Sequence, residues 1–374
     1  MYAISGMKSE PETDARTARE HHPVFRRFPC WEGRVPEGLI VNFLGAMSRV
    51  DFFESYQSIS RGYPADRYVR TQYPPFEEEY FEWVDVLEAV AAAEGHFTML
   101  ELGAGFGRWT ANAAAALRRL SGLPHTFVVV EAEPTHFGWL VQNLLDNAVD
   151  SNSVRLVQAA VAGKSGKVGF HVGETQYGGP GNWYGQCIGG SQVVEAASLG
   201  TLLDPLHVVD LIDIDVQGAE FDVLEPAAEE LDAKVKRVHI GTHGPKIEEG
   251  LHSLFGRLGW KCLRSYPCQG KVETEWGTIT FHDGVQSWLN PSYYSSKSVS
   301  EETMLKQKLE AARAEAGRLW AELEKIQTEV ERERTAYAAS KGRRLLEKAG
   351  SFRDRVAPAG TQRRKLFDFV TRKI

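Results

Sequence analysis

The stretch Met99-Leu-Glu-Leu-Gly-Ala-Gly-Phe-Gly107 turns an apolar run into three alternate glycines. Residues 96–100 read as a short buried strand and 109–120 as an alanine-rich helix, which places the glycines in a strand-to-helix turn. Such a turn brings backbone close to a ligand at a helix N-terminus. Gly103, Gly105 and Gly107 are spaced G-x-G-x-G, whereas the dinucleotide fingerprint G-x-G-x-x-G needs glycine at 108, where this chain has Arg108. Glu101, two residues before the first glycine, would repel a pyrophosphate and suits a cationic cofactor. The pattern selects S-adenosylmethionine (SAM), a sulfonium with a ribose and an amino-acid part, over a nicotinamide dinucleotide.

Downstream, strand and helix patterns alternate, as in a parallel sheet with helices on both faces. Thr126-Phe-Val-Val-Val-Glu131 is a second buried strand, with a helix at 137–147 and a third strand from Val154. Val208-Val-Asp-Leu-Ile-Asp-Ile-Asp215 is a fourth, followed by a helix over 218–230. Residues 236–240 and the helix 247–258 come next. Residues 260–266 and 277–281 read as two last strands forming a hairpin-like pair, and the domain closes near Asn290. The expected fold is an α/β, Rossmann-like sheet of seven mostly parallel strands over 95–292. The loop from Gly173 carries Tyr177, Trp183 and Tyr184 among glycines and is read as a substrate lid.

Upstream, 1–22 is a polar tail, and 23–94 is an aromatic-rich helical region. That region ends in a helix with Tyr80, Trp83, Val84, Leu87 and Val90 on one apolar face. Far downstream, Leu305, Leu309, Ala312, Ala316, Leu319, Leu323, Ile326 and Val330 step alternately by four and three, a heptad seam. The expectation is a coiled coil over 300–340 that makes homo-oligomers. From 341 to 374 eleven Lys/Arg face three Asp/Glu, a charge of +8 that leaves −15 on the rest. This basic tail, ending Leu-Phe-Asp-Phe-Val, suits an anionic membrane surface or an acidic partner.

The whole chain has 374 residues and a net charge of −7, which argues against a dedicated nucleic-acid binder. Its four cysteines (Cys30, Cys187, Cys262, Cys268) lack zinc or disulfide spacing. No signal peptide or 18-residue apolar run is apparent, so a cytoplasmic protein is expected, touching the membrane at most through its basic tail.

In an open parallel sheet the ligand lies beyond the carboxyl ends of the strands. There Glu101 is placed for the cofactor ammonium and Glu131 for both ribose hydroxyls, while Ala159 and Ala160 flank the adenine. Asp215 ends the fourth strand, Glu220 follows, and His243 lies after the fifth. Methyl transfer to a hydroxyl needs a nucleophile held in line and relieved of its proton, a task matched to His. His243 is the expected base, with Asp215 or Glu220 orienting it or the acceptor. An alternative is that Asp215, Glu220 and His243 hold a divalent metal that lowers the acceptor's pKa.

Glu-Leu-Gly-Ala-Gly-Phe-Gly107, Glu131-x-x-Pro134, Asn143, Gln158-Ala-Ala-Val, Ile214-Asp-Val-Gln-Gly-Ala-Glu220, Val223-Leu224 and the late His243 together resemble the FkbM family of SAM-dependent methyltransferases. The resemblance covers about 95–265, and the Asp-Val-Gln-Gly-Ala-Glu block is its most specific part. It implies O-methylation of a hydroxyl on a sugar, glycan or secondary metabolite. Family members often carry a lysine two before the motif aspartate and an acid two before the late histidine; this chain has Asp213 and Gly241 there. A different class of function, a coiled-coil scaffold that binds SAM without turnover, would require none of the catalytic set.

Overall fold

In the computed structural model, which describes residues 20–172, 187–294, 319, 321–333 and 352–371, the chain divides into two units, Met1–Tyr293 and Tyr294–Ile374. The main sheet of the first unit has seven strands. They are β1 (Phe97–Leu102), β2 (His125–Glu131), β3 (Val154–Gln158), β4 (Leu211–Ile214), β5 (Arg237–Thr242), β6 (Lys261–Tyr266) and β7 (Gly284–Leu289). They lie in the order β6-β7-β5-β4-β1-β2-β3. β1 to β5 pair in parallel and β7 is antiparallel to both its neighbours. The run 3-2-1-4-5 is that of doubly wound sheets, whose topological switch lies between β1 and β4.

Period-two alternation sends successive strand residues to opposite faces. A short helix, α1 (Glu54–Arg61), lies upstream of the sheet. Phe97, Met99, Phe127, Val129 and Leu211 face one core, shared with α2 (Tyr80–Ala92), α3 (Arg108–Leu120) and α4 (Pro134–Asp146). Leu100, Leu102, Val128, Val130, Ile212, Ile214, Val238 and Ile240 face the other. That core is closed by α5 (Leu199–Leu203), α6 (Glu220–Leu224), α7 (Ala228–Lys234) and α8 (Pro245–Arg257).

Several details differ from the sequence reading. The expected helix over 218–230 is two helices joined by a 3-10 turn at Glu225–Ala227, because Pro226 has no N–H to continue the ladder. β6 pairs with β7, while Gly277–Phe281 pairs with Gly270–Thr274 in a separate hairpin; Gln269 at φ 56° starts that hairpin. The interruption after β3 contains an antiparallel pair, Gly166–Phe170 with Gln192–Ala197. Tyr177, Trp183 and Tyr184 lie outside the described residues. α2 is buried well beyond one face, down to the carboxylate of Asp85. Glu20, His21 and His22, expected in the polar tail, are packed: the His22 amide donates to the Tyr80 hydroxyl and Trp276 Nε1 donates to the Glu20 carbonyl.

In the second unit residues 321–333 are helical. Ile326 is buried against Ala357, with Val330, Phe352 and Val356 around them. Arg363 pairs with Glu322, and Arg364 with Asp354 at 2.8 Å. This part of the expected seam therefore meets residues 352–357 of its own chain. Leu305, Leu309, Ala312 and Ala316 lie outside the described residues. Among the described residues no helix is long and apolar enough to cross a membrane, and the four cysteines are free thiols.

Candidate active site

The glycine turn joins β1 to α3 at the carboxyl edge of the sheet. Gly103, Gly105 and Gly107 all have positive φ, at 79°, 55° and 70°. A Cβ on Gly103 would lie 1.8 Å from the Asp215 carbonyl oxygen, and one on Gly107 would lie 2.2 Å from Leu140 Cδ1. Two of the three glycines are thus required by neighbouring protein: the first lets the turn close on the end of β4, the third lets α4 pack beneath it. Gly103 and Gly105 both line an open cleft at this edge of the sheet.

Glu101 lies elsewhere than expected. It is the fifth residue of β1, 3% exposed, and its carboxylate accepts from the amides of Trp109 and Thr110 at 3.1 and 2.8 Å. The N-cap of α3 is Gly107, which has no side chain to satisfy the first-turn amides. Glu101 supplies that acceptor from the strand below, and it is not among the residues lining the cleft. Glu101 thus supports the helix that carries the turn, and any approach to a cofactor ammonium, expected directly or through water, is made from beneath the glycines. Burial pushes its carboxyl up to about 7, against the hydrogen bonds from Thr110 and Trp109.

Glu131 does line the cleft, at the end of β2. One carboxylate oxygen accepts from the Gly105 amide and the other from the Glu133 amide, each at 2.7 Å. Each oxygen retains a lone pair, so the group can still accept two hydroxyls. Burial raises its pKa to about 7, and the Glu133 and Gly105 amides oppose that rise. Ala132, Ala159, Ala160, Phe170 and Ile188 form an apolar slot beside it. Among the described residues no Lys or Arg lines this cleft, so a pyrophosphate would find no cation there, whereas a ribose, an adenine and a sulfonium match what is present.

On the other wall, Asp215 follows β4 and continues into Gln217, a non-glycine at φ 51°, whose Nε2 donates to Asp215 Oδ1 at 2.7 Å. Glu220 opens α6, fully buried, and accepts from the Gly218 amide at 2.9 Å. His243 Nδ1 lies 2.7 Å from Glu220 Oε1. Its Nε2 points the opposite way, 3.5 Å from Asp215 Oδ1 and 3.6 Å from Asp283 Oδ1. Of the two orienting partners considered, Glu220 fixes the ring and Asp215 faces its free nitrogen. Burial alone would lower the His243 pKa, but Glu220, Asp215 and Asp283 outweigh it and raise it to about 9.

Asp283 was missed in the sequence, and register explains its place. β7 is antiparallel, and its first residue, Gly284, sits opposite Thr242, the last residue of β5. The residues just outside that pair, His243 and Asp283, must then be neighbours. The polar His282-Asp283-Gly284 turn was the only sign in the sequence, and it has value only once the pairing of β7 with β5 is known. Asp213, where the family pattern has lysine, points under the sheet, where its carboxyl hydrogen-bonds to that of Glu82. Gly241 stands opposite Asp215, and a Cβ there would come 3.6 Å from the Asp215 carboxyl carbon.

Residues 101–259 match the model of the methyltransferase FkbM domain. Over 253 residues the chain is 25% identical to the protein of Jannaschia sp. (strain CCS1) named "Putative methyltransferase", covering 63% of this chain and 86% of that one. Among solved structures, precorrin-6y C5,15-methyltransferase from Geobacter metallireducens GS-15 aligns at 12% identity and a TM-score of 0.34, over 55% of this chain and 85% of that chain. Methyltransferase FkbM from Methylobacillus flagellatus KT aligns at 12% identity and a TM-score of 0.33, over 53% of this chain and 45% of that chain.

Proposed function

We propose, from the match of residues 101–259 to the methyltransferase FkbM domain and the likeness to a relative named as a methyltransferase, that this chain methylates a hydroxyl of a sugar, glycan or secondary metabolite, using SAM as donor. When bound, SAM supplies an electrophilic methyl group on a sulfonium that leaves as a neutral thioether. Gly103 and Gly105 would carry the amino-acid end past the turn, Glu131 would accept the ribose hydroxyls, and Ala160 would border the adenine. Transfer forms an oxygen–carbon bond as the sulfur–carbon bond breaks, and the hydroxyl proton must leave.

The observation that carries this reading is the His243–Glu220 pair beside the cofactor cleft. A buried carboxylate on Nδ1 fixes the imidazole, so that Nε2 is presented toward Asp215, a residue of the cleft wall. Once the ring, whose pKa is raised to about 9, has given up its own proton, His243 Nε2 is placed to take the acceptor's. Asp215 and Asp283, which flank that nitrogen, can hold neighbouring hydroxyls of a polyol acceptor. They disfavour an anionic one.

The cofactor assignment is tested by titration calorimetry with SAM and with NAD: SAM should bind and NAD should not, and the reverse result would remove the methyl-donor reading. Glu131→Gln should weaken SAM binding by about 10- to 100-fold, the scale of hydrogen bonds to a charged acceptor. The wild-type affinity should also depend on pH. Ribose hydroxyls favour the ionised carboxylate, so affinity is full above pH 7 and falls as Glu131 takes up its proton below about 7, by at most about tenfold per pH unit. The Glu131→Gln variant, with no proton to gain at this position, should lack the slope. A SAM-turnover screen over glycans, polyketide hydroxyls and phenols separates the enzyme from the non-catalytic scaffold.

A further inference from the structure

The pair at His243 has more ligating atoms around it than its hydrogen bonds use. Glu220 is fully buried, and among the described residues its Oε2 has no hydrogen-bond partner; His243 Nε2 is likewise buried without one. Ligating atoms of Asp215, Glu220 and His243 all lie within 4.8 Å of one another. Asp283 adds another carboxylate oxygen 3.6 Å from Nε2. The four side chains come from four places: the turn after β4, the start of α6, the end of β5 and the turn before β7. The sheet register holds them together, so this is a set of positioned acceptors rather than a run of solvated acids.

An unpaired buried acceptor carries its whole desolvation cost, and several carboxylates around one imidazole repel one another. A second acidic group in the fold shows the contrast. Glu82, Asp213 and His239 also come within 4.8 Å of one another, but there the two carboxyls hydrogen-bond to each other and His239 bonds to Asp85 at 2.8 Å. That group is closed on itself. The one at His243 is open on the side facing Asp215 and the cleft.

We propose that Asp215, Asp283 and His243 Nε2, with Glu220 holding the ring from Nδ1, bind a divalent cation of the Mg²⁺/Mn²⁺ class. Carboxylate oxygens suit these ions, and an imidazole ligand tilts the set toward Mn²⁺. Asp215 belongs to both the cofactor cleft and this group, which puts the cation at the edge where the acceptor must lie. A cation there lowers the pKa of a hydroxyl that approaches it, so that the hydroxyl's proton can pass to water at the open side of the cleft, and His243 becomes a ligand in place of a base. That chemical consequence rests on the methyl-transfer reading; the binding itself does not.

The test is Mn²⁺ binding to the full chain after chelation, read by calorimetry and by loss of the free-ion electron paramagnetic resonance signal, with neither SAM nor acceptor present. Saturable binding of one Mn²⁺ per chain is expected, weakened at least tenfold by Glu220→Gln and by Asp215→Asn, and competed by Mg²⁺. Glu220 is buried, so its variant is checked for a wild-type melting profile; Asp215 is half-exposed, and its variant decides the matter if Glu220→Gln does not fold. Absence of saturable binding up to millimolar Mn²⁺, or binding that both substitutions leave unchanged, overturns the site. A chain that binds Mn²⁺ in this way but turns over SAM with no hydroxyl removes the methyl-transfer reading alone. A chain that methylates an acceptor while binding no Mn²⁺ removes the cation alone, and returns the proton to His243.

Discussion

His243→Ala should lower methyl transfer by about 10²- to 10⁴-fold, the usual contribution of a positioned acid–base group, while SAM affinity stays at the wild-type level. The loss corresponds to about 3–5 kcal/mol of transition-state stabilisation. The separation of the two effects follows from geometry. His243 is not among the residues that line the cofactor cleft, and its hydrogen bond runs to Glu220, away from the Glu131 wall. After truncation Glu220 Oε1 still accepts from the Gly218 amide, so the start of α6 keeps a tie to the turn before it. The same loss is expected whether the imidazole takes a proton or ligates a cation, because both need its Nε2 at this edge. Single-turnover transfer, measured with an acceptor found in the turnover screen and set beside SAM calorimetry, reads both quantities. A variant that transfers at the wild-type rate would take His243 out of the chemistry. One that lost SAM binding as well would make the residue part of the scaffold.

The parts of this site that could be read from the chain are those fixed by local pattern. Glu131 closes a Phe-Val-Val-Val run, and a strand that apolar is buried on both faces, so its terminal acid must lie at the sheet edge where ligands bind. Asp215 and His243 follow the same logic on their strands. What could not be read depends on which elements meet. Glu101 looks like a ligand residue because it precedes the glycines, yet its partners are the amides of a helix whose own cap, Gly107, offers no side chain. Asp283 reaches His243 through the antiparallel pairing of β7, and the chain gives no local sign that 284–289, and not 277–281, enters the main sheet. The heptad seam has a similar history. Its spacing specifies an apolar stripe, but the described partner of Ile326 is Ala357, further along the same chain, a pairing that spacing does not encode.

Asp85 is the clearest case of a residue that pattern concealed, and its removal should have the largest effect on stability. α2 reads as amphipathic, which would leave an aspartate at 85 for solvent. In the structure that carboxylate is fully buried on the sheet. It accepts from Arg237 at 2.6 Å, Arg264 at 2.9 Å and Ser287, with His239 Nδ1 at 2.8 Å. The cause is a row across five strands: Glu101, Asp213, His239, Ser287 and Arg264 stand side by side in register on β1, β4, β5, β7 and β6. Polar groups brought together under a helix need a counter-charge from it, and Asp85 supplies it. Asp85→Ala takes from buried Arg237 its 2.6 Å partner, with the half-buried Glu88 still at 2.7 Å, and a buried charge stripped of a partner costs about 3–5 kcal/mol. In a domain of this size that lowers the melting temperature by about 10 °C. Asp85→Asn, which keeps the shape and loses the charge, should recover little of it. The pH dependence gives an independent check. Burial alone would raise the Asp85 pKa, but Arg264, His239 and Arg237 overcome it and hold the carboxyl far below the usual carboxylate range. Its stabilisation is therefore complete above the unfolded-state value of about 4 and is lost only as the pH falls below it. The gap in melting temperature between wild type and Asp85→Ala should be constant from pH 8 to 5 and should narrow below about 4. A gap that closed at neutral pH, or one of a degree or two, would mean that the arginines find other partners and that the row, not Asp85, holds α2 on the sheet.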